Sequence, residues 1–189
     1  MREYKLLFTG TMGSGKTTAI GTISEVSPVK TDVANTDATV AKRYTTVALD
    51  YGLLTLDNGD RLRLYGTPGQ GRFDFLWKIL AHNALGLVML SDNSRPDPLA
   101  DLTVFLDGFA DQLETLPCVI GVGRLSLHTT PSLDDYADLL AQRGLVLPVL
   151  AVDVRQREDV IGLIDLLLLQ IEAGMDSPAA RPQTPDDER

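Results

Sequence analysis

The chain has 189 residues, 44% of them apolar and 23% charged, which suits one well-cored globular domain and is too little for two. Its formal charge of −9 argues against a nucleic-acid backbone or an anionic membrane surface as the main partner. No apolar run reaches the ~18 residues of a membrane span, and a lone cysteine, Cys118, leaves no intrachain disulfide.

The opening "MREYKLLF" lacks the long apolar core of a secretion signal, and its apolar residues begin a strand over 4–9. The stretch "GTMGSGKT", Gly10 to Thr17, follows directly and runs into a helix over 16–25. Residues 27–41 are polar without clear period and read as a loop. Strands over 47–56 and 61–65 flank "DNGD", whose central Asn-Gly signals a hairpin, so this pair is antiparallel. A Thr-Pro-Gly-Gln turn, Thr67 to Gln70, leads into a helix over about 73–82. Beyond it lie a strand over 86–91 and "DNSRPDPLADL", whose Pro98 suits the first turn of a helix over about 99–114. Then come a strand over 118–122, with Cys118 as a small buried hydrophobe, and a helix over 133–142. A strand over 149–152 precedes a helix over 159–173, which carries Val160, Ile161, Leu163, Ile164, Leu167, Leu168 and Ile171 on one broad face. Such alternation predicts an α/β sheet. From Asp176 the chain turns Pro- and Asp-rich, so residues 1–175 are expected to form the domain and 176–189 a disordered tail. The whole reads as a cytoplasmic protein without an integral membrane segment.

"GTMGSGKT" matches G-x-x-x-x-G-K-[ST] at every fixed position. A loop that presents several backbone N–H groups to one anion must curl closely, and Gly10, Gly13 and Gly15 permit it. Thr11, Met12 and Ser14 complete that cradle. Lys16 can reach the β- and γ-phosphates, Thr17 can offer its hydroxyl to Mg²⁺, and Thr18 lies in the first turn of a helix whose positive end faces the charge. The stretch predicts a nucleotide-phosphate site.

The turn "YGTPGQ", at the end of the strand over 61–65, decides among the classes that share such a loop. Here the sequence resembles the Ras-like small GTPases, whose second switch reads D-x-x-G-Q. By that match Gly69 contacts the γ-phosphate through its amide and Gln70 orients the attacking water. "TTVALDYG", Thr45 to Gly52, is similar to the T-I-G-V-D-F segment of Rab-type switches. It implies that Thr46 gives its hydroxyl to Mg²⁺ and its amide to the γ-phosphate, with Thr45 as fallback; both could equally be ordinary strand residues. The resemblance covers residues 4–173 and looks most like a bacterial group that includes the Mgl-type gliding-motility polarity switches and the conservon GTPases, which also carry P-G-Q in the second switch. It implies the P-loop small-GTPase fold: a six-stranded, mostly parallel sheet with one antiparallel strand and helices on both faces. It further implies GTP or GDP with Mg²⁺, hydrolysis of GTP, and control of polarity, motility or signalling. The partners it implies are regulators and effectors that meet the switches (about 31–46 and 66–77), a Roadblock-fold protein among them.

The chain departs from that pattern at three places. Gly66 stands where the family's second switch has its metal-holding aspartate, which leaves Asp50 or Asp92 as outer-shell carboxylates. Met12 replaces the glycine beside the γ-phosphate, where a side chain can crowd Gln70 or an incoming arginine, so hydrolysis without a partner is expected to be slow. After the fifth expected strand the family's N-K-x-D becomes Gly123, Arg124, Leu125 and Ser126. Only the basic position survives, and the stem of Arg124 is expected along the base. Asp153, in the next loop, is the candidate to restore a carboxylate to the base. Arg43, with Lys42 beside it, is either a catalytic finger in cis or a solvated loop charge, and Arg72 is a candidate partner contact. Phe73, Phe75 and Trp77 serve either an effector surface or the core. His82 and His128 have no neighbour at metal-ligand spacing. A non-hydrolysing nucleotide-binding module with relaxed base specificity, or an ATP-using ATPase or kinase, is the alternative reading.

Overall fold

A computed structural model describes residues 1–27, 29–34, 44–69 and 74–175, with the backbone alone described at 29–34, 44–48, 74 and 174–175. The expected tail, 176–189, lies outside the described residues. The strands are β1 (Glu3–Gly10), β2 (Val29–Ala34), β3 (Tyr44–Thr55), β4 (Arg61–Gly66), β5 (Gly86–Asp92), β6 (Cys118–Gly123) and β7 (Val149–Val152). The helices are α1 (Lys16–Ile23), α2 (Asp74–Ala81), α3 (Pro98–Gly108), α4 (Ala110–Leu113), α5 (Leu133–Gln142) and α6 (Arg157–Met175).

The sheet runs β2-β3-β4-β1-β5-β6-β7. β4, β1, β5, β6 and β7 pair in parallel, and β3 is antiparallel to both of its neighbours. The six expected strands are all present in a mostly parallel sheet with one antiparallel strand. A seventh, β2, lies inside the stretch read as a loop, and this corrects the strand count. Its Val-Lys-Thr-Asp-Val alternation is short, and its order comes from edge pairing with β3, where Val29 faces Tyr51 and Ala34 faces Tyr44. The same pairing starts β3 at Tyr44 instead of residue 47. Thr45 and Thr46 therefore both have strand backbones, and Thr45 pairs with Val33.

The expected hairpin turn joins β3 to β4. Gly59 N–H donates to Leu56 O, Leu56 N–H donates to Asp60 O, and Gly59 takes the left-handed φ of 83° that glycine tolerates.

Alternation along the central strands divides the core into two layers. On one face Leu6, Phe8, Val88, Leu90 and Val119 pack against Ala19, Ile20 and Ile23 of α1 and Val160, Leu163, Ile164 and Leu167 of α6. On the other, Leu7, Leu87, Met89, Cys118, Ile120 and Val122 meet Trp77 of α2, Leu102, Phe105 and Leu106 of α3, and Tyr136 and Leu140 of α5. Each fully buried aliphatic side chain contributes about 1.5–3 kcal/mol. Asp97 caps α3 by accepting from Ala100 N–H, with Pro98 in the first turn as expected, and Ser132 and Asp135 form a capping box on α5.

The expected helix over about 99–114 is interrupted. α3 ends at Gly108, where a β-carbon would fall 2.6 Å from the Trp77 ring, and α4 restarts beyond Phe109. Trp77 is itself buried and stacks on Phe105 and Phe109 at ring-centroid distances of 4.6 and 5.6 Å. It therefore belongs to the core and not to an effector surface. Phe75 is 46% exposed, and Phe73 lies outside the described residues.

Truncating Trp77 removes both stacks and leaves a cavity between α2 and α3. Trp77→Ala should lower stability by about 3–5 kcal/mol, measured as a shift in the urea unfolding midpoint at constant slope.

Candidate nucleotide site

The parallel strands end at Gly10, Gly66, Asp92, Gly123 and Val152, and the loops that leave them gather at the carboxyl edge of the sheet. In open α/β sheets ligands bind in the crevice at that edge. The phosphate loop leaves the central strand there. Gly10 has a φ of 137°, and a β-carbon on it would overlap the Leu90 carbonyl oxygen, so the curl after β1 requires glycine. α1 then starts at Gly15 with no side-chain cap on its first N–H groups, unlike α3 and α5. Uncapped N–H groups at a helix start suit an anion.

Lys16 is only 8% exposed, and its Nζ donates to the carbonyl oxygens of Gly10 and Thr11, each at 2.7 Å. Burial pushes its pKa down to about 8, against the charge of Asp50, which works to raise it. The hydroxyls of Thr11 and Ser14 are buried within the loop without a partner among the described residues. Buried polar groups in this state are uncommon, and both stand in the glycine-rich loop between β1 and α1. Thr17 Oγ1 donates to Asp50 Oδ2 at 2.6 Å. Met12 stands at the crest of the loop, 67% exposed.

The Thr-Pro-Gly turn after β4 lies on this loop. Thr67 N–H donates to Phe8 O at 2.8 Å, the Thr67 hydroxyl donates to Thr9 Oγ1 at 2.8 Å, and Trp77 Nε1 donates to Pro68 O at 3.0 Å. Gly69 closes the approach: a β-carbon there would fall 2.5 Å from the Met12 amide nitrogen and 2.7 Å from the Thr11 carbonyl carbon. Gln70, Arg72, Arg43 and Lys42 lie outside the described residues, as does the side chain of Thr46.

Beside the phosphate loop opens a cavity of about 680 Å³, lined by residues 13–18, 122–127 and 151–155 and by Asp159. Arg124 lines it, but its guanidinium pairs with Asp92 and donates to Gly13 O at 3.2 Å, bolting the two loops together. Burial tends to raise the Asp92 pKa, but hydrogen bonds from Ser94 and Arg124 outweigh it and hold the carboxylate below its usual range. Asp92 is thus paired with Arg124 and accepts from Ser94. Asp153 lines the cavity as well. Its side chain accepts from Arg155 N–H, Nε and Nη2, and these bonds hold its pKa down at about 2. Ser126 lines the same wall and is exposed.

A brace beneath this wall was not read from the sequence. Tyr136 Oη donates to Asn93 Oδ1 at 2.9 Å and lies 2.8 Å from Ser91 Oγ, while Asn93 Nδ2 donates to the carbonyls of His128 and Pro131. Only the position of Asn93 at a strand end hinted at it.

Comparison with protein-family models returns no match to the chain, and comparison with curated proteins returns none either. Among the described residues no three His, Cys, Asp or Glu side chains gather as a metal site, and no helix is long and apolar enough to cross a membrane.

Among the described residues, Lys16 alone brings an ammonium into the loop's backbone. Lys16→Ala should weaken nucleotide binding at least about 100-fold, because a charge-assisted hydrogen bond is worth about 1.5–3 kcal/mol and two phosphates lose theirs. The circular dichroism spectrum should stay native. Unchanged affinity for a fluorescent GDP analogue in that variant would overturn the assignment.

Proposed function

We propose that the protein is a small GTP-binding switch with the phosphate-loop GTPase fold, one that binds GTP or GDP with Mg²⁺, hydrolyses GTP and regulates partner proteins. The observation that carries this reading is the seat of Gly69 on the backbone of Thr11 and Met12. A single γ-phosphate bound at the loop would meet the amides of two segments whose relative position then depends on it. A loop that only held phosphate would need no such neighbour.

In this reading Lys16 exchanges the carbonyls of Gly10 and Thr11 for phosphate oxygens, and the uncapped start of α1 faces the same charge. The hydroxyls of Thr17 and Thr46 would hold Mg²⁺, which neutralises charge building on the phosphates. Gln70 orients the water whose oxygen bonds to the γ-phosphorus as the β–γ bridging oxygen departs, and Arg43 serves as a finger in cis or remains a solvated charge. Loss of the γ-phosphate releases the turn at Gly69 and the segment around Thr46 from a common anion, and the outer surface changes. Phe75 and Ile79 of α2 and Met12 of the loop expose apolar area beside that turn. That surface suits a regulator or effector, with a Roadblock-fold protein the kind implied by the family resemblance.

Hydrolysis should depend on Gln70 at the chemical step. Gln70→Leu should slow turnover at least about tenfold with affinity for triphosphate changed little, since a water-orienting residue acts on kcat. Single-turnover phosphate release measures it, and a wild type without turnover alone or with its partner would favour a non-hydrolysing binding module.

A second reading, relaxed base specificity, is favoured by the base wall itself. Ser126 offers one neutral acceptor where a carboxylate would take two bonds of roughly 1.5–3 kcal/mol each, so discrimination against ATP should shrink by about two orders of magnitude. Asp153 can restore it only by sharing a carboxylate that Arg155 already holds. In competition of GTP and ATP against one fluorescent nucleotide, Ser126→Asp should sharpen GTP preference and Asp153→Asn should weaken it. Equal ratios in both variants would place the base elsewhere.

A further inference from the structure

Asp50 of β3 and Gly66 of β4 are register partners across the hairpin. Partners on adjacent strands present their side chains to the same face, so a carboxylate on either strand delivers its charge to the same side of the sheet. Only one of the two positions carries a side chain, and it fills the space of both. A β-carbon on Gly66 would lie 3.0 Å from Asp50 Oδ2, 3.1 Å from Asp50 Cβ and 3.3 Å from Ile20 Cδ1. The filled space borders the start of α1, where Asp50 Oδ2 receives the Thr17 hydroxyl at 2.6 Å.

We propose that Asp50 is the carboxylate that positions the divalent cation of the bound nucleotide, and that Gly66 lacks a side chain in order to admit it. The inference rests on the nucleotide-switch reading and supplies the acidic group that reading needs. Mg²⁺ beside a nucleotide keeps several waters and takes one or two carboxylates together with the phosphates, so a lone carboxylate with a hydroxyl suits its demands. Thr17 donates its proton to Asp50, which turns the hydroxyl's lone pairs outward and raises their basicity, the service that outer-shell carboxylates give to metal ligands. Of the other described carboxylates at this edge, Asp92 is held by Arg124 and Ser94, Asp153 by Arg155, and Asp159 accepts from Asp153 N–H.

Two variants of the full chain separate this role from a purely structural one. Asp50→Asn keeps an oxygen that accepts the Thr17 hydrogen bond and removes only the charge. Combining Asp50→Gly with Gly66→Asp returns a carboxylate from the opposite strand, with the tip of Ile20 left as the nearest obstacle. Binding of a fluorescent GDP analogue is titrated at free Mg²⁺ concentrations set from EDTA upward. Asp50→Asn and Asp50→Gly should raise the Mg²⁺ needed for half-maximal binding by about 10–100-fold, the usual cost of losing an outer-shell partner. Their affinities in EDTA should stay within about threefold of wild type, and the exchanged pair should recover the wild-type Mg²⁺ requirement. An unchanged Mg²⁺ requirement in Asp50→Asn overturns the proposal, as does an equal loss of affinity with and without Mg²⁺. An exchanged pair that binds nucleotide in EDTA yet regains no Mg²⁺ dependence overturns the equivalence of the two positions. A wild type that binds no nucleotide under any condition defeats the underlying reading instead, which keeps the two failures apart.

Discussion

The ammonium of Lys16 is the constraint around which the carboxyl edge of the sheet is arranged. A cation taken out of water carries a desolvation cost of several kcal/mol unless close acceptors receive it. Here the acceptors are carbonyl oxygens of its own loop, turned inward by the curl at Gly10. In the proposed reading the cation orders the loop before any nucleotide arrives, so an entering phosphate meets a loop already shaped. Such preorganisation cuts the ordering cost of binding.

Among the described residues at that edge two carboxylates are paired with arginines, which matters in a chain with a net charge of −9. Arg124 answers Asp92, and Arg155 answers Asp153, both along the wall that would receive a base. Neither pair does the work of a phosphate ligand. Arg124 stiffens the wall against the phosphate loop through Gly13, and the Asn93–Tyr136 brace supports the wall itself, with Asn93 donating to the carbonyls of His128 and Pro131. The base end is therefore rigid but chemically sparse. In the proposed reading, Lys16 and the uncapped start of α1 supply most of the affinity.

Much of this was legible in the sequence because the physics is local. A strand followed by glycines and Lys-Thr, a Pro-Gly-Gln turn at a strand end, and Asn-Gly between two apolar runs each declare themselves within a few residues. What escaped reading depends on partners far along the chain. β2 is a weak alternation that becomes a strand through pairing with β3, and the glycine at the end of α3 leaves room for the ring of Trp77. Trp77 itself lies on a helix beside the turn, so surface and core were equally open until its stacking partners came from α3 and the residue after it. The Asp50–Gly66 relation is a register fact, and no window along one strand contains it.

Trp77 also couples two parts of the molecule that are otherwise described apart. Its indole N–H holds the carbonyl of Pro68, one residue before the glycine seated on the phosphate loop, while its ring lies in the aromatic stack beneath α3. It is the only tryptophan in the chain. Any displacement of that turn must either stretch this bond or drag the indole against its stack. The chain thereby carries a built-in optical gauge, whose emission follows the turn's position without a label.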